Sequence, residues 1–174
     1  RAAGLEEGGF VGQRYKDSDV YKVIEGAAYS LQICPDEKLR AYVDKLVDII
    51  AAAQWDDGYL NSYFSLPEKQ PEKRWTNIRR MHELYGAGHF IEAAVAYYQA
   101  AGNQKVYDTA VRLADHICDQ FGPGRRQEPP GHEEIEIALV KLYRLTGREK
   151  YLKMAQFFID QRGSAEGREL YGAY

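Results

Sequence analysis

The side chains most able to do chemistry in this 174-residue chain are imidazoles and carboxylates placed just before or at the start of helical segments. His82 and His89 lie seven residues apart in MHELYGAGH, on one face of a helix. His132 opens the segment HEEIEIALVKLY. If that segment is helical from His132 onward, His82 and His132 stand at equivalent ends of two helices and can share a cavity. A neutral imidazole donates from one ring nitrogen and accepts at the other, which suits it to hydroxyl-rich ligands such as sugars. No HExxH or similar spacing is present, so the histidines alone predict no metal site. His89 is expected in the core, and His116 is expected to be structural. The candidate catalytic carboxylates are Asp17, Asp19, Asp56, Asp57, Glu83, Glu133 and Glu134, and no pair stands out. Glu133 and Glu134 are expected in a first helical turn, where the helix dipole favours acids.

A second candidate group is aromatic. Trp55, Tyr59, Tyr63 and Phe64 fall in the loop WDDGYLNSYF, and Trp75 follows it. These rings either form a stacking platform for a sugar or staple the loop to the scaffold, and the sequence leaves both open. Cys34 and Cys118 lie far apart without CxxC spacing, so two buried thiols are expected and no redox or metal motif.

Six helical stretches position these groups, at about 18–31, 36–54, 77–101, 104–120, 132–146 and 149–162. Gly102, Gly122, Gly147 and Gly163 punctuate them. Superposing Gly102 on Gly147 aligns Lys105 with Lys150, Ala110 with Ala155 and Asp115 with Asp160. A weaker register aligns Lys38, Leu46 and Asp48 with Lys105, Leu113 and Asp115. A repeat of this kind marks stacked helical hairpins. Their predicted spans are about 17–54, 77–120 and 131–162, within one partial domain covering residues 1–174. Turns inside hairpins are short and links between them long, so the long loops gather at one end, where function usually resides. The first, third and fifth helices are apolar on several sides and form the inner ring; the charged second, fourth and sixth form the outer ring. The prediction is an all-α chain of antiparallel hairpins making about half of an (α/α)6 barrel. A net charge of −3 offers no footprint for nucleic acid or an anionic membrane. No apolar run reaches the ~18 residues of a membrane span. The first residues carry neither an initiator Met nor a signal pattern, so a soluble piece of a larger domain is expected, its compartment open.

The run RWTNIRRMHELYGAGHFIEAAVAYYQAAGNQKVYDTAVRLADHICDQFGPG resembles glycoside hydrolase family 127 (DUF1680), whose activity is β-L-arabinofuranosidase. PPGHEEIEIALVKLYRLTGREKYLKMAQFFIDQRG, YKDSDVYKVIEGAAYSL and AAAQWDDGYLNSYF resemble it equally, so the likeness covers almost the whole chain. The resemblance implies an (α/α)6 barrel and a retaining mechanism with a Cys nucleophile and a Glu acid/base. It also implies a zinc site of one Glu and three Cys that includes the nucleophile. Those residues lie beyond this sequence, and Cys34 and Cys118 do not match them. No catalytic residue and no metal ligand is therefore expected in this chain, and zinc is expected only in the complete domain. His82 and His132 resemble the family's sugar-contacting histidines. Together with Trp75, Tyr59 and Glu83 they form the expected substrate-binding set. Gly86 and Val23 stand where relatives are expected to carry bulkier side chains.

The function implied is a glycoside hydrolase of which this chain supplies part of the sugar-binding wall and is inactive alone. Its partner is an oligosaccharide or glycoside, and exposed inner helices could also drive homo-oligomerisation. One alternative is an inverting (α/α) glycosidase with its carboxylate pair in this chain. Another is a non-catalytic helical-repeat binding module, which would present an open apolar groove instead of converging imidazoles.

Overall fold

Asp36 and Asn103 each begin a helix by turning a side-chain oxygen onto backbone N–H groups of the first turn: Asp36 onto those of Lys38 and Leu39, Asn103 onto that of Val106. Gly102 and Gly147 each end one in the left-handed conformation, at φ 66° and 69°. The computed structural model describes residues 1–66 and 71–164, and all regular structure among them is helical. The helices are α1 (Asp17–Ile33), α2 (Glu37–Ala52), α3 (Ile78–Met81), α4 (Glu83–Ala101), α5 (Gln104–Gln120), α6 (Ile135–Thr146) and α7 (Glu149–Arg162).

The sequence expectation of an all-α chain of helical hairpins holds, with α1, α4 and α6 inside and α2, α5 and α7 outside. α4 packs against α1, α6 and α5, while α2 meets α5 and α5 meets α7. Between Leu84 and Tyr97 every residue of α4 is buried except Tyr85 and His89. The small side chains of Gly86, Ala87, Gly88, Ala93, Ala94 and Ala96 let three neighbouring helices close on it. The repeat also has a physical counterpart. Lys105 of α5 pairs with Asp48 of α2, and Lys150 of α7 pairs with Asp115 of α5. The same two repeat positions thus stitch each outer helix to the next, although exposed pairs of this kind contribute little, about 0–1 kcal/mol.

Three expectations are corrected. The third stretch is not continuous: His82, at φ 62°, breaks it into the single turn α3 and the long α4. The fifth starts at Ile135, so His132 and Glu133 precede the helix instead of opening it. Cys34 is exposed in the first hairpin turn; Cys118 alone is partly buried, and its thiol is pushed up to about 12, chiefly by burial.

The long link between α2 and α3 is fastened by a buried polar cluster. Tyr59 and Trp75 are 0% and 4% exposed, and Glu83 is 1% exposed. The Tyr59 hydroxyl donates to Glu83 Oε1 at 2.7 Å, and the Trp75 N–H reaches both oxygens of the same carboxylate at 3.1 Å. Among the described residues Trp75 is, with His82, a non-glycine residue with positive φ, at 59°, so Glu83 ties down a strained turn. The Trp75 indole donates to His116 Nε2 at 3.1 Å, while His116 Nδ1 lies 2.8 Å from the Asp57 carbonyl. Those contacts require the neutral tautomer protonated on Nδ1, as expected where burial depresses the imidazole pKa. His116 is structural, as its place on an outer helix predicted. Asp17, the first residue of α1 and one of the candidate carboxylates, accepts from the Ser62 N–H at 2.7 Å, tying α1 to this loop.

Burial raises the Glu83 pKa to about 7, against the hydrogen bonds from Tyr59 and Trp75, which lower it. The folded state therefore holds this proton more tightly than the unfolded chain, and stability falls as pH rises from the ordinary glutamate value of about 4.3 towards 7. Glu83→Gln should remove that slope, so wild type loses stability relative to the variant as pH increases through this window. Glu83→Ala should cost at least about 2 kcal/mol at any pH, because two buried donors lose their acceptor. Urea titrations of the three proteins at pH 5 and pH 8 measure both effects.

Candidate functional site

At the N-terminal ends of α4 and α6 the structure brings together three imidazoles and two tyrosines. The His82 and His132 rings lie 4.8 Å apart between centroids, tilted by 45°. Tyr85 sits beside both, 5.9 Å from His82 and 5.4 Å from His132. Its other side meets His89 edge-on at 4.5 Å, and Tyr15 lies 5.1 Å from His82. His132 is exposed, while His82, Tyr85 and His89 are partly buried. The prediction that His82 and His132 share one place is met, by a tighter approach than helix ends alone would produce.

Local backbone geometry explains that approach. His82 occupies the left-handed region, and its Nδ1 lies 2.6 Å from the Arg80 carbonyl. Nδ1 therefore carries the proton and Nε2 remains an acceptor. Burial lowers the His82 pKa, helped by the neighbouring His132 and Arg14, so the ring is neutral near pH 7. The loop carrying His132 is pinned from three directions. Gly131 lies so close to α3 that a Cβ there would stand 2.1 Å from the Arg79 carbonyl oxygen. Gly88 of α4 leaves a notch filled by Glu134, where a Cβ would stand 2.7 Å from Glu134 Cγ. Arg162 of α7 donates to the Pro130 carbonyl at 3.1 Å and pairs with Glu133 and Glu136 at 3.0 Å each.

Beneath the imidazoles runs a polar seam across the three inner helices. His89 Nδ1 faces Glu134 Oε1 at 3.1 Å, and the Glu134 and Glu92 carboxyls bring oxygens within 4.8 Å of each other. Lys141 of α6 meets Glu92 of α4 and lies 3.4 Å from Glu25 of α1. Burial and the adjacent Glu92 raise Glu134 to about 8, so the two carboxyls share one proton at neutral pH. Burial also pushes Glu92 up, but the Glu134 hydrogen bond and the Lys141 ammonium hold it below the usual range.

A family model described as "Beta-L-arabinofuranosidase, GH127 catalytic domain" matches residues 1–171. This chain belongs to that family. It is 45% identical over 166 residues to the non-reducing end β-L-arabinofuranosidase of Bifidobacterium longum subsp. longum. That match takes in 93% of the chain and 25% of the relative. A solved GH127 β-L-arabinofuranosidase from Geobacillus stearothermophilus T6 superposes with a TM-score of 0.90 at 48% identity, over 94% of the chain and 26% of its own. A second, described as a GH127 β-arabinofuranosidase, gives 0.86 at 44% identity, over 93% and 27%. The chain thus spans about a quarter of the length of the relatives it matches. The fold of the GH127 neighbours is an (α/α)6 barrel, and the hairpins of this chain are a part of one.

The family zinc, implied with three cysteine ligands, does not fit the residues present. Cys34 is exposed in a turn, and Cys118 has a thiol stabilised in its protonated form, the opposite of a zinc thiolate. His89, Glu92 and Glu134 do offer three ligand atoms within 4.8 Å of one another, a group that could hold a metal ion. This departs from the sequence expectation of no metal ligand, because Glu134 is brought to α4 from forty-two residues downstream of Glu92. Glu134 is also more than a helix-dipole acid: its side chain is nine-tenths buried against His89. Tyr59, Trp75 and Glu83, expected to face a sugar, instead fasten the α2–α3 loop, and with Phe64 they are too buried to stack on a ligand. Trp55 is partly exposed but is covered by Arg74, 4.5 Å from its ring. Sequence spacing missed Tyr85, although its place three residues after His82 in HELY was a signal. The described helices contain none long and apolar enough to cross a membrane.

Gly131→Ala should displace the His132 loop from α3 and cost about 1–3 kcal/mol, the usual range for overpacking. Chemical denaturation gives the cost, and a crystal structure of the variant gives the separation of the His82 and His132 rings, expected to exceed 4.8 Å. The lowered His82 pKa further predicts that its ring stays neutral from neutral pH down to the ordinary imidazole value of about 6.5 and gains a proton only below it. An NMR titration of the His82 ring across that range tests the sign.

Proposed function

We propose that this chain forms one wall of the sugar subsite of a β-L-arabinofuranosidase, with His82 and His132 binding furanose hydroxyls. The observation that carries this reading is the convergence of the two imidazoles, 4.8 Å apart, at the end of the inner helices where the interhelical loops gather. His82 offers Nε2 as an acceptor, and exposed His132 can approach a neighbouring hydroxyl. In this reading the nucleophile and the acid/base would come from other parts of the domain, as would the zinc that the family resemblance implies, which would keep a thiolate deprotonated at neutral pH. What this chain contributes is position: a donor–acceptor wall held by Gly131, Gly88 and Arg162 on rigid helices. The inverting alternative finds less support. Inverting enzymes hold their carboxyls about 6.5–9.5 Å apart to admit a water, whereas Glu92 and Glu134 bring carboxylate oxygens within 4.8 Å of each other.

The test uses the full-length protein with an aryl β-L-arabinofuranoside. Wild type should hydrolyse it with retention of anomeric configuration. His82→Ala and His132→Ala should each lower kcat/KM by about 5- to 150-fold, the equivalent of 1–3 kcal/mol for a lost hydrogen bond, with little change in melting temperature. Unchanged kinetics accompanied by a lower melting temperature would assign the two histidines to folding. The isolated 174-residue chain should leave the substrate intact.

A further inference from the structure

Tyr85 is the aromatic ring that the fold places among the three imidazoles, and its hydroxyl has a distinctive partner. Lys22, on the exposed side of α1, sets its ammonium 2.7 Å from Tyr85 Oη. An ammonium has donors and no acceptor, so in this contact the phenol oxygen must accept. The phenolic hydrogen is thereby turned away from Lys22. Among the described residues no group accepts it, while His82, His132 and His89 surround the ring at 4.5–5.9 Å. Tyr85 is thus an oriented O–H donor at the edge of the site, beside imidazoles that can accept as well as donate.

We infer that Tyr85 is a further substrate-binding residue, its hydroxyl donating to an oxygen of the sugar, and that Lys22 is the positioning residue that fixes the direction of that donor. This rests on the proposed sugar subsite and extends it by a third hydrogen-bonding group, contributed jointly by α4 and α1. Two features of the fold support the division of roles. Tyr85 lies on the same helix as His89 and one turn beyond His82, so its ring moves with the imidazoles as one body. Lys22 comes from α1, the inner helix packed most extensively on α4, so its contact reports the docking of those two helices. The arrangement also explains why Tyr85 and His89 alone escape full burial along the middle of α4.

The experiment is a double-mutant cycle in the full-length protein, using Tyr85→Phe, Lys22→Met and the pair. Each protein is assayed for hydrolysis of an aryl β-L-arabinofuranoside and, separately, for calorimetric binding of L-arabinose. Tyr85→Phe keeps the ring and should weaken binding, and raise KM, by about three- to tenfold, the worth of one neutral hydrogen bond. Lys22→Met should weaken both in the same direction by a smaller factor. The double variant should be no weaker than Tyr85→Phe, because Lys22 acts only through the hydroxyl. Phe at position 85 with wild-type binding and KM would overturn the inference, as would a Lys22→Met effect that multiplies fully onto Tyr85→Phe. Wild-type protein that binds L-arabinose without cleaving the glycoside would sink the hydrolytic function while leaving the cycle readable through binding. Wild type that neither binds nor cleaves would sink both.

Discussion

Gly131 rests over the carbonyl oxygen of Arg79 at a distance that no Cβ could share, and the geometry of the site follows from this contact. The loop before α6 can approach α3 only because that position has no side chain. His132 is the next residue and His82 lies three beyond Arg79, so the backbone contact fixes how far apart the two imidazoles stand. The notch at Gly88 repeats the device one turn along α4, seating Glu134 where any larger residue would push it out. Arg162 then holds the same loop from the outer ring. Glycine supplies proximity and arginine supplies tension from behind, and neither contributes an atom to the proposed sugar contacts.

The buried polar groups divide into two systems with different work. Tyr59, Glu83, Trp75 and His116 close over one another and fasten a long loop to the scaffold. Their hydrogen bonds are satisfied internally, as buried polar groups require. The seam of Glu25, Lys141, Glu92, Glu134 and His89 is less complete. His89 Nδ1 and Glu134 Oε1 face each other without a formed hydrogen bond. That seam lies directly under the imidazoles and spans all three inner helices, so it couples the packing of the hairpins to the floor of the site. Strain is placed in the same region: the two non-glycine residues with positive φ among the described residues, Trp75 and His82, flank the short α3. Such conformations persist where surrounding contacts over-determine them, which Glu83 does for Trp75 and the Arg80 carbonyl does for His82.

Much of the scaffold was legible in the sequence. Helical periodicity, glycine stops and the difference between short and long links led to hairpins, an inner and an outer ring, and the end at which His82 and His132 gather. The repeat that aligned Lys105 with Lys150 and Asp48 with Asp115 marked the residues that stitch the outer helices together. These features are local: periodicity, caps and turn lengths depend on neighbours a few residues away, and charge and apolarity on a helix face sort the rings.

What only the tertiary structure decided was which side chains gather beside His82 and His132. Trp75, Tyr59 and Glu83 had residue types suited to sugar contact, but a residue type does not say whether a ring covers a ligand or a loop, and burial settled it for the loop. Glu134 was read as a helix-dipole acid because its role depends on His89, a partner forty-five residues away on α4. The break at His82 was invisible because His is tolerated in a helix, and its left-handed conformation is imposed by contacts from Arg80 and the neighbouring turn. The sequence alone determined the helical hairpins, their order and the end at which His82 and His132 gather. The approach of the His132 loop, the emergence of Tyr85 and the burial of the aromatic cluster came from packing between hairpins, because distances between segments far apart in the chain are set by how side-chain volumes fit and not by spacing along it.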